Sequence, residues 1–362
     1  MPKHIVTLPR TEGMEFDIVS YGRRAPGVSG TLSLEHVEQV KRTVGRTAEV
    51  MVKVSGGARD AGGAKAHLKY FDRHGKLEIE TDEGGVLQGR TAADRLIVDW
   101  QLDLCRSHYL PKPDAGAKDL RAKLLHHIVL SMPAGTPPQK VLNAARAFAH
   151  ENFALQYRYA MVLHTDQPHP HVHLVVKCHH ECEPGRRLYV RKDTLRTWRE
   201  QFAALMREEG VAANATPRQL RGARQGLKDP IHHRLRDFRA SKEASGLSRR
   251  PRVASSFMRN RLQRVVAELQ KGGAAREDGK DTLQATRTQV SNAWRQVADV
   301  LRGQGDARLA RQVEHFVRSL PPVATDREHL KARWLAHLRE SRRTPVSVER
   351  IPEMPPRSGP PR

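Results

Sequence analysis

A chain of 362 residues that sets 63 Lys and Arg against 40 Asp and Glu carries a formal charge of +23, an excess that asks for a polyanionic partner rather than an ordinary small-molecule substrate. No run of about 18 apolar residues occurs, which speaks against membrane insertion. The opening Met1-Pro2-Lys3-His4 has no apolar signal segment, so a cytoplasmic location is expected, and Cys105, Cys178 and Cys182 are too few for a disulfide framework.

Residues 1–45 show little periodicity around Tyr21-Gly22-Arg23-Arg24-Ala25-Pro26-Gly27 and are expected to form a weakly structured extension. Residues 46–225 are expected to form the main domain. Alternation over 48–54 predicts a half-buried strand. Residues 55–65, with Gly56-Gly57 and Gly62-Gly63, are expected to be a flexible loop. It is not a nucleotide-binding P-loop, because Gly62 is followed by Gly63 and Ala64 instead of Lys and Ser or Thr. Tyr70 follows in a basic segment with His67, Lys69, Arg73 and His74. It reads equally as an amphipathic packing residue or as a phenol whose ionised form the neighbouring cations favour.

The spacing of Leu96, Ile97, Trp100 and Leu104 predicts a helix over 94–107. Residues 124–131 and 157–164 read as strands, separated by a helix that Pro137-Pro138 opens and that runs to about 152. A short strand is expected at 188–190. An amphipathic helix over 193–209 is expected with Asp193 as N-cap, and Leu195, Trp198, Phe202, Leu205 and Met206 on its apolar face. Residues 226–341 read as a basic helical region (252–271, 282–302, 307–320 and 327–341), broken at Gly272-Gly273, Gly303 and Pro321-Pro322. The Pro- and Arg-rich residues 342–362 are expected to be a disordered basic tail.

The chemistry gathers at His164-Thr165-Asp166-Gln167-Pro168-His169-Pro170-His171-Val172-His173-Leu174-Val175-Val176-Lys177. A lone histidine on an apolar strand is usually a packing residue, but packing has no use for four in a row this close. On a strand His171 and His173 share one face, and a turn at Gln167-Pro168 folds His164 back beside them. Three convergent imidazoles make a divalent-metal site, with Asp166 expected to hold a ligand histidine by its other ring nitrogen. Ligand type favours Mn, Co, Ni or Zn over Mg. The following Cys178-His179-His180-Glu181-Cys182 has no second ligand pair and is expected to line the rim of the cleft. Arg186, Arg187, Tyr189, Arg191 and Lys192 are candidates for a groove that tracks a single strand, mainly through phosphate contacts.

Four blocks in order resemble the conjugative relaxases, or mobilisation nucleases, of the His-hydrophobe-His endonuclease class, and among them the T-DNA border endonucleases. They are Leu68-Lys69-Tyr70-Phe71-Asp72-Arg73-His74-Gly75-Lys76-Leu77-Glu78; His126-His127-Ile128-Val129-Leu130-Ser131-Met132-Pro133-Ala134-Gly135-Thr136; the histidine stretch; and Asn214-Ala215-Thr216-Pro217-Arg218 with Arg221-Gly222. The resemblance implies an α+β fold, an antiparallel sheet flanked by helices with the two strand histidines at its centre. It implies Tyr70 as nucleophile, with Asp166 and His169 as supporting groups and candidate bases. It also implies His164, His171 and His173 as ligands of Mg or Mn, and Ser131 as a group that holds DNA beside the nick. Lys69, Arg73, Arg186, Arg187 and Arg191 are the further DNA-binding candidates. Lys177 departs from the asparagine that ends this block in several relatives. The implied activity is nicking and rejoining of a transfer origin through a 5′-phosphotyrosine. The implied partners are single-stranded and supercoiled origin DNA, accessory DNA-binding proteins and a type IV secretion coupling protein, with the protein itself translocated alongside the strand. Rival readings are a rolling-circle replication initiator or transposase of the same chemistry, and an inactive DNA-binding relative.

Overall fold

The computed structural model describes residues 31–104, 119, 121–222, 260, 263–267, 270 and 279–343. The expected tail from 344 onward, most of the helix at 252–271 and Cys105 lie outside them. In chain order the elements are α1 (Leu34–Val44), β1 (Met51–Ala58), α2 (Ala61–Phe71), β2 (Ile79–Thr81), β3 (Val86–Leu87), α3 (Ala92–Asp99), β4 (Leu125–Ser131), α4 (Pro138–Phe153), β5 (Tyr159–His164), β6 (His171–Lys177), α5 (Lys192–Glu208), α6 (Lys280–Gly303), α7 (Ala307–Arg318) and α8 (Asp326–Arg343).

The strands form one antiparallel sheet in the order β1-β4-β6-β5-β2-β3, so the histidine strand β6 lies between β4 and β5. Because side chains alternate across a strand, the sheet separates two sets of residues. Val52, Ile128, Leu130, Tyr159, Met161, Val172, Leu174 and Val176 face a core shared with α4 and α5, where Phe148, Phe153, Trp198 and Phe202 meet edge to face. Ala160, Val162 and Val175 face a second core with Leu68 and Phe71 of α2 and Leu96 of α3. The expected α+β class, an antiparallel sheet flanked by helices with helices following it, is the fold observed. Among the described residues no helix is long and apolar enough to cross a membrane.

Several expectations change. The glycine-rich stretch is not a loop: Ser55 to Ala58 continue β1, and Gly62 and Gly63 lie in the first turn of α2. A register shift between Val54 and Gly56 bends the strand. Gly57 has φ of 148°, and a Cβ there would stand 2.2 Å from the Leu125 carbonyl oxygen, so close strand approach is what demands the glycine. The Asp60 carboxylate caps α2, accepting from the Gly63 N–H at 2.7 Å. The strand expected at 188–190 is irregular backbone beside a single bridge between His179 and Arg187. Arg191, not Asp193, is the N-cap of α5.

The extension expected at 1–45 contains α1, capped by the Ser33 hydroxyl. Thr43 of this helix accepts from Asn214 Nδ2 at 3.1 Å and bonds the Thr216 hydroxyl at 3.0 Å, while Glu49 accepts from the Thr216 N–H at 2.8 Å. The Asn214-Ala215-Thr216 block is therefore a buried clasp that ties α1 and the approach to β1 to the end of the domain.

Two compact units divide the chain: Met1–Arg221 with Ala293–Arg318, and Gly222–Asn292 with Ser319–Arg362. Residues 293–318, expected in a separate helical region, thus belong with the first unit, where α7 packs on α1 and Gln304 exchanges hydrogen bonds with the backbone of Leu32 at 3.0 Å. Periodicity reveals that a helix has an apolar face but not which surface covers it. In the second unit Lys280 pairs with Glu328 at 2.5 Å and Arg287 donates to the Pro321 carbonyl.

Candidate metal centre and nucleophile

β5 ends at His164, directly opposite His171 in the β5–β6 ladder, and His173 lies two residues on along the same face. The turn at 165–170 is what folds the chain back to make this pairing. One ring nitrogen from each of the three buried histidines lies within 4.8 Å of the others, the only group of His, Cys, Asp or Glu among the described residues close enough to share an ion.

Backbone carbonyls decide which nitrogen two of the rings offer. His164 Nε2–H donates to the Phe71 carbonyl at 2.8 Å, which leaves Nδ1 deprotonated, and that atom is buried without a partner. His171 Nδ1–H donates to the His169 carbonyl at 2.9 Å, which leaves Nε2 free. His173 Nδ1 lies 2.5 Å from His127 Nε2 on β4. Burial pushes the His164 imidazole down to about 4 and His173 far below its usual range, so both rings are uncharged at neutral pH and present lone pairs. An orphaned nitrogen, an all-imidazole donor set and neutral rings together fit a divalent cation.

Tyr70 is on the last turn of α2 and 45% exposed. Its neighbour Phe71 is the residue whose carbonyl receives His164, and the Phe71 ring stands edge-on to His173 with centroids 6.5 Å apart. The helix that carries the tyrosine is thus bolted to the histidine cluster. Beyond it Arg73, His74 and Gly75 have φ of 54°, 61° and 84°, a left-handed run that costs roughly 1 kcal/mol or more per non-glycine residue. Backbone bonds hold this turn: the His74 N–H donates to the Lys69 carbonyl at 2.8 Å, and the N–H groups of Lys76 and Leu77 donate to the Asp72 carbonyl, both at 3.0 Å. The turn places the Arg73 guanidinium over the Tyr70 ring, 5.3 Å from its centroid, and 2.7 Å from an Asp166 carboxylate oxygen.

Asp166 therefore bonds Arg73 and not a ligand imidazole, a correction to the expected arrangement. Its carboxylate is drawn to a full positive charge across the cleft, while carbonyl oxygens and His127 serve the rings. His169 is exposed and contributes its carbonyl to His171. Ser131 sits opposite His171 in the β4–β6 ladder, buried, with its hydroxyl donating to the Pro170 carbonyl at 3.2 Å. That bond steadies the segment entering His171, and donation to a DNA phosphate by the same hydroxyl would have to break it.

The basic candidates separate by exposure. Arg186, Tyr189 and Arg191 are exposed, and Arg186 pairs with Glu183 at 2.5 Å. Arg187 turns inward, donating to the Lys123 carbonyl and to His179. Lys69 is half-buried on α2. Cys178 is buried, its thiol pushed up to about 12, and His180 Nδ1 accepts the backbone N–H groups of Cys182 and Glu183, which shapes a turn.

His127, Ser55, Asp72 and the Phe71 carbonyl are not among the expected site groups. The doublet His126-His127 is a signal for one of them: on β4 the period of two puts His127 on the same face as Val129, which pairs directly with His173.

Residues 108–211 match the family model of the relaxase nuclease domain, MobA/VirD2-like. Over this stretch the chain is similar to MobA/VirD2-like relaxase nuclease domains. The T-DNA border endonuclease VirD2 of Rhizobium radiobacter is 27% identical over 209 residues, which cover 54% of this chain and 48% of that protein. The VirD2 of Rhizobium rhizogenes is 29% identical over 143 residues, covering 36% and 31%. The chain thus spans about half the length, or less, of the curated relatives it matches. A crystal structure of the MobM relaxase domain, Mn-bound and with plasmid pMV158 oriT DNA, aligns at a TM-score of 0.33 and 14% identity, over 52% of this chain and 98% of that one. The matched stretch contains β4, β5 and β6 and hence all three histidines, while Tyr70 lies N-terminal to it.

Proposed function

We propose that this chain is a metal-assisted, strand-specific DNA nicking and joining enzyme acting at the transfer origin of a mobile element. The observation that carries the reading is the 2.8 Å bond from His164 to the Phe71 carbonyl, which ties the tyrosine helix to the histidine cluster. Tyr70 is the nucleophile. Its Oη forms a bond to phosphorus as the bond to the 3′ oxygen breaks; the phenol proton goes to a base, and the leaving 3′ oxygen gains a proton to become a hydroxyl. One phosphoester replaces another, so the step runs in both directions and the strand can be rejoined.

Arg73 lies over the Tyr70 ring and pairs with Asp166, which makes that carboxylate the candidate base, with His169 as the other. His164, His171 and His173 hold the cation, which when bound supplies a Lewis acid that offsets charge on the phosphoryl oxygens. Imidazole donors favour Mn, Co, Ni or Zn, and Mg or Mn are the ions that availability in the cell selects. Exposed Arg186, Arg191 and Tyr189 follow the metal strand and suit single-stranded origin DNA. We assign residues 46–225 with 293–318 to the nuclease body. The remaining basic helices and the tail are assigned to accessory DNA-binding proteins and a type IV secretion coupling protein, in a bacterial cytoplasm.

The test is incubation with supercoiled plasmid carrying the cognate origin and Mn or Mg, followed by SDS without protease. The wild type is expected to give open circles with covalently attached protein, and Tyr70→Phe neither. Nicking by Tyr70→Phe at the wild-type rate would remove Tyr70 as nucleophile.

A further inference from the structure

A hydrogen-bonded line runs from the histidine cluster to the surface. His173 Nδ1 lies 2.5 Å from His127 Nε2, and His127 Nδ1 lies 2.9 Å from the hydroxyl of Ser55, an exposed residue at the bend of β1. His127 itself is 3% exposed, its ring inclined by 25° to that of His173 with centroids 4.7 Å apart and met edge-on by His67 at 4.4 Å. His67 belongs to α2, one turn before Tyr70, so the tyrosine helix also forms one wall of the line.

The line can carry its protons in only two ways. Running outward, His173 Nδ1–H donates to His127 Nε2, and His127 Nδ1–H donates to Ser55 Oγ; His173 Nε2 is then a bare lone pair. Running inward, the Ser55 hydroxyl donates to His127 Nδ1, and His127 Nε2–H donates to His173 Nδ1. His173 must then carry its proton on Nε2, the nitrogen left to face the other ligands, and cannot bind a cation through it. Carbonyl acceptors settle the matter for His164 and His171, because a carbonyl can only accept. His173 alone is held by a group that both donates and accepts.

We propose that His127 is a positioning residue for the metal centre: by accepting from His173 Nδ1 and passing its own proton outward to Ser55, it keeps His173 Nε2 available as a ligand. This inference rests on the reading of His164, His171 and His173 as metal ligands, and the experiment separates the two. Mn²⁺ titration by calorimetry, on the full chain in the absence of DNA, is compared for wild type, His127→Leu and His127→Gln. Circular dichroism on the same samples confirms the fold. Wild type is expected to bind. His127→Leu, which can neither accept nor donate, is expected to lose about 10–100-fold in affinity, as for other groups that orient a ligand histidine. His127→Gln, whose amide oxygen can accept from Nδ1, is expected to recover most of that loss.

The tautomer is read directly in wild type by long-range 1H–15N correlation of the imidazoles, with the His173 signals assigned from His173→Gln. The expected state has the proton on Nδ1. Equal Mn²⁺ affinity in wild type and folded His127→Leu overturns the positioning role while leaving the metal centre intact. A proton on His173 Nε2 in wild type overturns it also, independently of any His127 variant. Failure of wild type to bind Mn²⁺ would overturn the metal reading, and this inference with it.

Discussion

The two faces of the sheet are built for different tasks. Against α4 and α5 the strands present hydrocarbon and aromatic rings, with Trp198, Phe148, Phe153 and Phe202 interlocked. Against α2 the same strands present His127, His164, His171 and His173, each buried and each given a hydrogen-bond partner on one ring nitrogen or both. Neutral imidazoles are thus tolerated in a core where an acceptor is supplied for each N–H, and the nitrogens left over mark the chemistry. One side of β6 is apolar throughout, and the other combines a second apolar core with the histidine cluster.

Paired substitutions should separate the two faces most cleanly. Tyr70→Phe removes one exposed hydroxyl and should abolish the covalent DNA adduct while shifting unfolding free energy by no more than about 0.5 kcal/mol, read in a denaturant titration beside the nicking assay. Phe202→Ala on the opposite face should do the reverse, costing about 3–5 kcal/mol in the same titration, with Mn²⁺ affinity unchanged wherever the variant remains folded.

A pH series tests the histidine-bearing side by itself. Burial holds His126 and His164 at about 4 in the fold, against the ordinary imidazole value of 6.5 once the chain unfolds. As pH falls below about 6.5 the unfolded chain takes up protons that the fold refuses, so stability is full above that value and declines down to about 4. His126 alone accounts for up to about 3 kcal/mol of this. Thermal melts of the metal-free protein should follow that window, and a flat profile between pH 7 and 4 would contradict the buried, neutral state. The smallest effect is expected at the mouth of the tyrosine helix. Asp60→Ala removes the cap of α2 and an acceptor for Arg121, and should cost about 1–2 kcal/mol in the same melts.

Much of the fold and of the metal site is legible in the sequence because the clues are local. The apolar, β-branched run at 172–176, the apolar face that Trp198, Phe202, Leu205 and Met206 present, and Pro137-Pro138 at a helix start each specify an element from neighbouring residues alone. The convergence of His164 on His171 and His173 follows from one short turn. What escapes a local reading depends on distant chain. The glycines of β1 read as a loop because the reason for them is the Leu125 carbonyl, far along the sequence. Asp166 reads as a partner of an imidazole because nothing local reveals that Arg73, across the cleft, competes for it. His127 stands in its motif without an evident task, since that task depends on strand register. Residues 293–318 look like part of a separate bundle because amphipathic helices carry no address.

The clasp at Thr43, Asn214 and Thr216 has a consequence for how the protein comes into being. Its members are separated by up to 173 residues, yet they interlock in the interior. On a ribosome the first strand must wait until Asn214 and Thr216 have been synthesised before its approach can be sealed. The closing contact is long-range, and such contacts slow folding. Unsealed nascent chains would present a bare sheet margin during that interval, which is when protection by a chaperone would matter most.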